Sequence, residues 1–296
     1  MLLYSVCAEL LAVPSLNKPT EEYVMTTKVA VIQHNAGTDV EKNLSTLEIL
    51  SKQAAGEGAG IICWAEAFAY LGRHEGKLEI LEPLPEGGPI LTRCKNLAKN
   101  LGVEILLGGF HESDPTDSTR CFNTSVYLSS TGEINGIYRK IHLFDVDIAD
   151  GPRLMESKHT TPGDQAVVVN SLIGDLGMTV CYDLRFPSLF QKLADMGSLA
   201  ISVPSAFTKT TGEMHWHHLL CARAIENQTY IFAPAQHGQH SKNRASYGHS
   251  VIVDPWGRIV CELPEGDGYA IGEFDQERIE SVRSQLPSLS NRRTFN

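Results

Sequence analysis

Two pairs of segments in this chain repeat each other, and the repetition limits the folds open to it. Thr124–Ile134 (TSVYLSSTGEI) and His249–Ile259 (HSVIVDPWGRI) share Ser-Val near the start and Gly-x-Ile at the end, at one constant offset. Gly60–Phe68 (GIICWAEAF) resembles Ser198–Phe207 (SLAISVPSAF) in the same way. Around them the apolar periodicity predicts a strand–helix–strand unit from Val29 to Phe68 and a second from Met178 to Phe207. The pattern points to a duplicated α/β layout, with mixed sheets faced by helices.

The rest of the chain fits this plan. Lys28–Gln33 reads as a buried strand, and Asp39 as the cap of a helix carrying Leu44, Leu47, Leu50 and Ala54 on one face. Leu91–Leu101 reads as a helix and Val103–Phe110 as a strand. Asn123–Arg139 and His249–Leu263 read as hairpins, and about 212–227 as a long helix feeding a strand at Tyr230–Pro234. A chain of 296 residues buries about three-quarters of its unfolded surface, so it needs no covalent staples. Residues 1–25 read as a dispensable extension: they lack the basic start of a secretory signal and the arginines of a mitochondrial one. Residues 26–296 then form a single domain, with a C-terminal tail from about 280.

Charge and cysteine content narrow the function. A net charge of −10, spread along the chain, argues against nucleic-acid binding. Seven cysteines without a CxxC pair fit reduced thiols in a cytoplasmic setting, with a minor mitochondrial pool if the extension serves as an address. No apolar run approaches the ~20 residues that span a bilayer.

The segment Gly177–Pro187 (GMTVCYDLRFP) carries a cysteine where an apolar strand breaks into polar residues. Such an elbow exposes the sulfur and aims helix-start N–H groups at a reacting centre, with Asp183 as an N-cap and Arg185 in the first turn. A thiolate attacks carbonyls, so the site must favour the anion. Lys140, in YRKIHLF, either snorkels to water or is a fixed cation that lowers the thiol pKa and meets an oxyanion. Glu66, in CWAEAF, either faces solvent or sits in an apolar pocket, where its pKa rises and it exchanges protons near neutrality.

Together, the order Glu…Lys…Cys with CYDLRFP, YRKIHLF and GHSVIVDPWG resembles the nitrilase (carbon–nitrogen hydrolase) superfamily from about Lys28 to Arg293. YRKIHLFDVDI, MESKHTTPGD and HWHHLLCARAIENQTY resemble its Nit branch, the deaminated-glutathione amidases and omega-amidases, and LPSLSNRR leans to the former. WAEAF departs from the usual pattern, in which a proline precedes the acid. The resemblance implies a four-layer αββα sandwich with internal pseudo-twofold symmetry, pairing as a homodimer (αββααββα) or a larger assembly through the helices after Cys181 and near Trp216. It assigns Cys181 as nucleophile, Glu66 as general base, Lys140 as oxyanion cation, and Glu156 as the acid that orients the lysine or helps ammonia depart. It adds the Tyr182 N–H as oxyanion donor, with Phe207 and Thr211 lining the pocket. The implied reaction is hydrolysis of a small carboxylate-bearing amide to acid and ammonia through a thioester, without cofactor, metal or membrane.

Arg185 would fork onto the substrate carboxylate, or else pair with Asp183 or Glu213. His215, His217 and His218, with Cys221, suggest a metal, but no HExxH and no third ligand accompany them. A papain-like protease, an N-carbamoyl amino acid hydrolase and a catalytically silent binding scaffold of the same fold are the rival readings. Ammonia release that depends on Cys181 separates the scaffold from the amidase.

Overall fold

The computed structural model describes residues 26–147 and 153–294; the 1–25 extension lies outside the described residues. The first half runs β1 (Thr27–Gln33), α1 (Val40–Gly56), β2 (Ile61–Cys63), α2 (His74–Leu78), α3 (Pro89–Leu101), β3 (Glu104–Ser113), β4 (Cys121–Leu128) and β5 (Ile134–Arg139). A small ribbon, β6 (Asp145–Asp147) with β7 (Arg153–Met155), leads to the second half. There β8 (Val167–Ser171), β9 (Gly174–Met178), α4 (Pro187–Asp195), β10 (Ala200–Ser202), α5 (Lys209–Asn227) and β11 (Tyr230–Ala233) follow in turn. A second ribbon, β12 (His237–Ser241) with β13 (Arg244–Tyr247), precedes β14 (Ser250–Val253), β15 (Ile259–Leu263), β16 (Gly268–Phe274), α6 (Gln276–Gln285) and α7 (Ser288–Asn291).

The two large sheets have matching plans. One is ordered β16-β1-β2-β3-β4-β5 and the other β8-β9-β10-β11-β14-β15. In each, three central parallel strands are flanked by antiparallel ones. β2 corresponds to β10 and β4 to β14, the same segments that echo each other in the sequence.

Side-chain alternation sorts the layers. Val29, Val31, Ile61, Cys63 and Leu106 face inward and join Leu176, Met178 and Ile201 of the second sheet in one core. Ala30, Ile32, Ile62, Trp64 and Ile105 face outward, against Leu44, Leu47 and Ala54 of α1 and Leu91, Cys94 and Leu97 of α3. Asp39 caps α1 by accepting the Lys42 N–H at 3.0 Å, and Trp64 Nε1 donates to Ser51 Oγ of α1 at 3.0 Å. On the far side Trp216, Leu220 and Ala224 of α5 and Leu189, Phe190 and Leu193 of α4 cover the second sheet. The layers are therefore α, β, β, α.

Boundaries differ at two informative places. β9 ends at Met178, three residues before Cys181, so the cysteine lies beyond the strand rather than closing it. The C-terminal segment is ordered past 280: α6 runs to Gln285, burying Ile279 and Val282. No helix among the described residues is long and apolar enough to cross a membrane.

Candidate active site

Three strand ends deliver the reactive groups to one place. Beyond β2 the chain turns at Glu66-Ala67, with Ala67 at φ 57°. Space for that turn comes from Gly108-Gly109 in β3, where the β3–β4 register shifts. A Cβ at Gly109, itself at φ +65°, would lie 2.6 Å from Ala67 N and 2.8 Å from Glu66 Cγ. Only glycine lets the neighbouring strand pass so close to the acid. Lys140 follows β5, and its N–H donates to Asn123 O at 2.8 Å. Cys181 follows β9 at φ 49°, its N–H donating to Pro204 O at 2.9 Å.

The Cys181 turn is a 3-10 helix, Cys181–Arg185, and α4 begins only at Pro187. Asp183 is therefore not the cap of an α-helix. It is fully buried and accepts from Tyr138 Oη at 2.7 Å, Val180 N at 2.9 Å, His142 N at 3.0 Å and His142 Nδ1 at 2.7 Å. Tyr138 and His142 bracket Lys140 at two residues on either side. One carboxylate thus pins the lysine's segment to the cysteine's turn.

The charged groups form a closed set. Lys140, 2% exposed, places Nζ 3.1 Å from Glu66 Oε1 and 2.8 Å from Glu156 Oε2. Asn123 Nδ2 donates to Glu66 Oε1 at 2.8 Å and to Glu156 Oε1 at 3.0 Å. Two carboxylates at one end of this amide fix which atom is the nitrogen. The second Glu66 oxygen accepts the Ala206 N–H at 2.7 Å, and Glu156 Oε2 also accepts the Phe144 N–H at 2.7 Å. Gln236, wholly buried, donates to the Glu66 carbonyl at 3.1 Å and accepts the Ala36 N–H at 2.8 Å, tying the two halves together behind the acid.

Protonation follows from this packing. Burial alone would raise the Glu66 carboxyl, but the Lys140 charge, the Cys181 thiol and the Asn123 amide outweigh it, and its pKa falls below the ordinary value. Burial pushes the Cys181 thiol well above its ordinary value; the Glu66 charge adds to this, and Lys140 opposes it without prevailing. Burial would lower the Lys140 ammonium, but Glu156 and Glu66 hold it well above its usual range. Both sequence expectations are thereby corrected: the acid is not raised and the cation does not win the thiol. The resting site is carboxylate, ammonium and neutral thiol.

Glu66, Lys140, Glu156 and Cys181 line one cavity of about 200 Å³, with Asn123, His111, His159, Lys77 and Arg244. Tyr182, Arg185, Phe207 and Thr211 are not among its lining residues. The Tyr182 N–H has no hydrogen-bond partner among the described residues. Its ring meets Phe144, which does line the cavity, at 4.9 Å between centroids. Arg185 stacks over Phe207 at 5.1 Å and approaches His215 Nδ1 at 3.3 Å, rather than pairing with Asp183 or Glu213. Thr211 Oγ1 bonds Thr208 at 2.7 Å.

The histidines of α5 do not act together. His217 meets instead Glu262 Oε1 at 2.9 Å, which His249 also reaches at 2.5 Å. Spacing along one helix could not show partners that come from β15 and from the turn before β14. Asn123 and Gln236 were likewise missed. The signal for Asn123 was a residue of low strand propensity inside a strand.

Glu66, Lys140 and Cys181 gather on one cavity of a doubled α/β sandwich, the layout of a hydrolase. The carbon-nitrogen hydrolase family model matches residues 28–284, and the chain belongs to that family. It is a hydrolase acting on the carbon–nitrogen bonds of amides.

Among its relatives is the deaminated glutathione amidase of Dictyostelium discoideum, 40% identical over 91% of this chain and 94% of that one. The Homo sapiens protein of the same name is 40% identical over 90% of this chain and 82% of that one. The crystal structure of Saccharomyces cerevisiae Nit3, a member of branch 10 of the nitrilase superfamily, superposes with a TM-score of 0.80 at 30% identity, covering 88% of this chain and 94% of that one. The C. elegans NitFhit structure superposes at 0.85 and 35% identity over 90% of this chain, which spans only 65% of that longer protein.

Proposed function

We propose that this chain is a thiol amidase for a small carboxylate-bearing amide of the deaminated glutathione type. The observation that carries this reading is the Lys140 ammonium 3.1 Å from the Glu66 carboxylate, with Cys181 on the same cavity. Glu66 takes the thiol proton as Sγ attacks the amide carbon. Lys140 Nζ and the unengaged Tyr182 N–H receive the oxyanion. As the carbon–nitrogen bond breaks, Glu66 gives its proton to the leaving nitrogen, and a thioester remains on Cys181. Glu66 then deprotonates water, which attacks the thioester; the acid leaves and the proton returns to sulfur. Glu156 keeps Lys140 charged and aimed.

The leaving group depends on the amide. A primary amide releases ammonia, as expected from the sequence. In a glutathione-type substrate the amide nitrogen belongs to an amino acid, so cleavage releases an amine rather than ammonia. The cavity, below the roughly 300–1,000 Å³ of sites that enclose drug-sized ligands, suits an acyl group of a few carbons. That size favours a second reading, an omega-amidase acting on 2-oxoglutaramate or 2-oxosuccinamate. Turnover of deaminated glutathione against 2-oxoglutaramate, with Cys181→Ala as control, tests both. Faster cleavage of the former supports the first reading. Cleavage of neither overturns the substrate reading; turnover that survives the substitution overturns the thiol mechanism.

The reading extends to the assembly and compartment. A homodimer through α4 and α5 is supported by Met214 and Ile225 of α5 and Met196 beyond α4, large apolar side chains left exposed. Trp216 is fully buried and belongs to the core instead. Six free cysteines among the described residues fit a reducing, cytoplasmic setting, with a mitochondrial pool dependent on residues 1–25.

A further inference from the structure

The catalytic cavity carries more positive charge than its chemistry uses. Lys140 is matched by two carboxylates, Glu66 and Glu156. Lys77 of α2 and Arg244 at the start of β13 line the same cavity, and neither makes an ion pair among the described residues. The set Glu66, Glu156, Lys140, Lys77 and Arg244 has two acidic and three basic members. A cavity with an excess cation, in a chain of net charge −10, is built for an anion.

The backbone that carries each cation is anchored by its neighbours. A Cβ at Gly76 would lie 2.2 Å, and one at Gly72 2.4 Å, from Tyr70 Oη, so the α2 turn is packed onto that ring. His74 Nε2 meets Thr119 O at 3.0 Å, and its ring stacks on His159 at 3.9 Å. On the other ribbon, Ser246 bridges to Thr208, and its hydroxyl meets His240 Nε2 at 2.9 Å. His111 lines the same cavity, buried against the Tyr70 carbonyl at 2.9 Å. Its imidazole is driven to about 3, first by burial and then by the Lys77 charge, with Arg244 contributing. That imidazole stays neutral, leaving the two side chains as the cavity's free charges.

We propose that Lys77 and Arg244 form a two-cation clamp for the carboxylate on the acyl half of the substrate, and so select anionic over neutral amides. The clamp rests on the amidase reading and supplies what the sequence assigned to Arg185, which lies against Phe207 and His215 outside this cavity. Because the cavity admits only a few carbons, the carboxylate it meets is the one closest to the scissile bond. The guanidinium offers a fork for the carboxylate and the ammonium a point charge.

The test compares two primary amides with the same acyl chain, 2-oxoglutaramate and its methyl ester, using the full chain, Lys77→Gln, Arg244→Gln and the double variant. The unaltered chain should prefer the free acid by at least 100-fold in kcat/KM. Each single variant should cut that ratio about tenfold, chiefly through KM, and the double variant should erase it; Arg244→Lys should restore part. A ratio that persists in the double variant overturns the clamp. Calorimetric binding of 2-oxoglutarate separates the two readings. If neither amide turns over but the dicarboxylate binds and the double variant weakens it tenfold or more, the amidase reading falls and the clamp stands. If nothing turns over and nothing binds, both fall. Circular dichroism of each variant confirms that the fold is kept.

Discussion

Replacing Asn123 with leucine tests how the site sets the charge of its base. The Asn123 amide donates to Glu66 at 2.8 Å and to Glu156 at 3.0 Å, and it is one of the groups that hold the Glu66 pKa down. Leucine is close in size but donates nothing. A hydrogen bond to a charged group is worth about 1.5–3 kcal/mol, and about 1.4 kcal/mol corresponds to one pKa unit. Losing one such bond should therefore raise the Glu66 carboxyl by roughly one to two units. Since Glu66 must be ionised to take the thiol proton, activity requires a pH above its pKa. The assay is kcat/KM against pH for a primary amide, with thermal unfolding as a control. The acidic limb should move to higher pH by that amount, and much of the lost rate should return on the alkaline side. A folded variant whose acidic limb stays in place would refute the view that Asn123 tunes the base.

Three further outcomes follow from the same geometry. Lys140→Met removes the proposed oxyanion donor and leaves the buried Glu66 and the half-buried Glu156 without their cation; kcat/KM should fall by at least about 10²–10³, with about 3–5 kcal/mol lost in a urea titration. Asp183→Asn should lower kcat about 10- to 100-fold with little change in KM, because a neutral amide cannot accept from all four donors that join the Lys140 segment to the Cys181 turn; an unchanged kcat would contradict that positioning role. Burial lowers His34 to about 4 and His111 to about 3, against about 6.5 when unfolded. Between those values the unfolded chain binds protons that the native one refuses. Stability should be full above about pH 6.5 and fall by roughly 4 kcal/mol by pH 5 from these two groups, read as a drop in the urea midpoint.

What could be read from the residues was what local pattern and repetition encode. The β4 and β14 echo revealed the doubled plan because equivalent strands need similar side chains on equivalent faces. Cys181 and Glu66 stood out as reactive groups at the ends of apolar runs. Lys140 gained its role from family likeness, since one lysine at a strand end is as easily a snorkelling one. Asp183 was misread because its position beside a turn resembles a cap, while its four donors come from segments up to 45 residues away. Lys77, Arg244 and Asn123 gave no local sign of meeting at one cavity. The protonation of the site was also out of reach, because the direction of each shift depends on a balance between burial and neighbours that only the packing defines.

The central claim is that sulfur bonds covalently to the acyl group of the substrate. It is tested most directly by quenching the enzyme in acid within the first turnovers of an amide and measuring its intact mass and peptide map. An added acyl mass should appear on Cys181, be lost on standing at neutral pH and be absent from Cys181→Ala. Turnover of the unaltered chain with no adduct on Cys181, or a Cys181→Ala chain that still cleaves the amide, would contradict it.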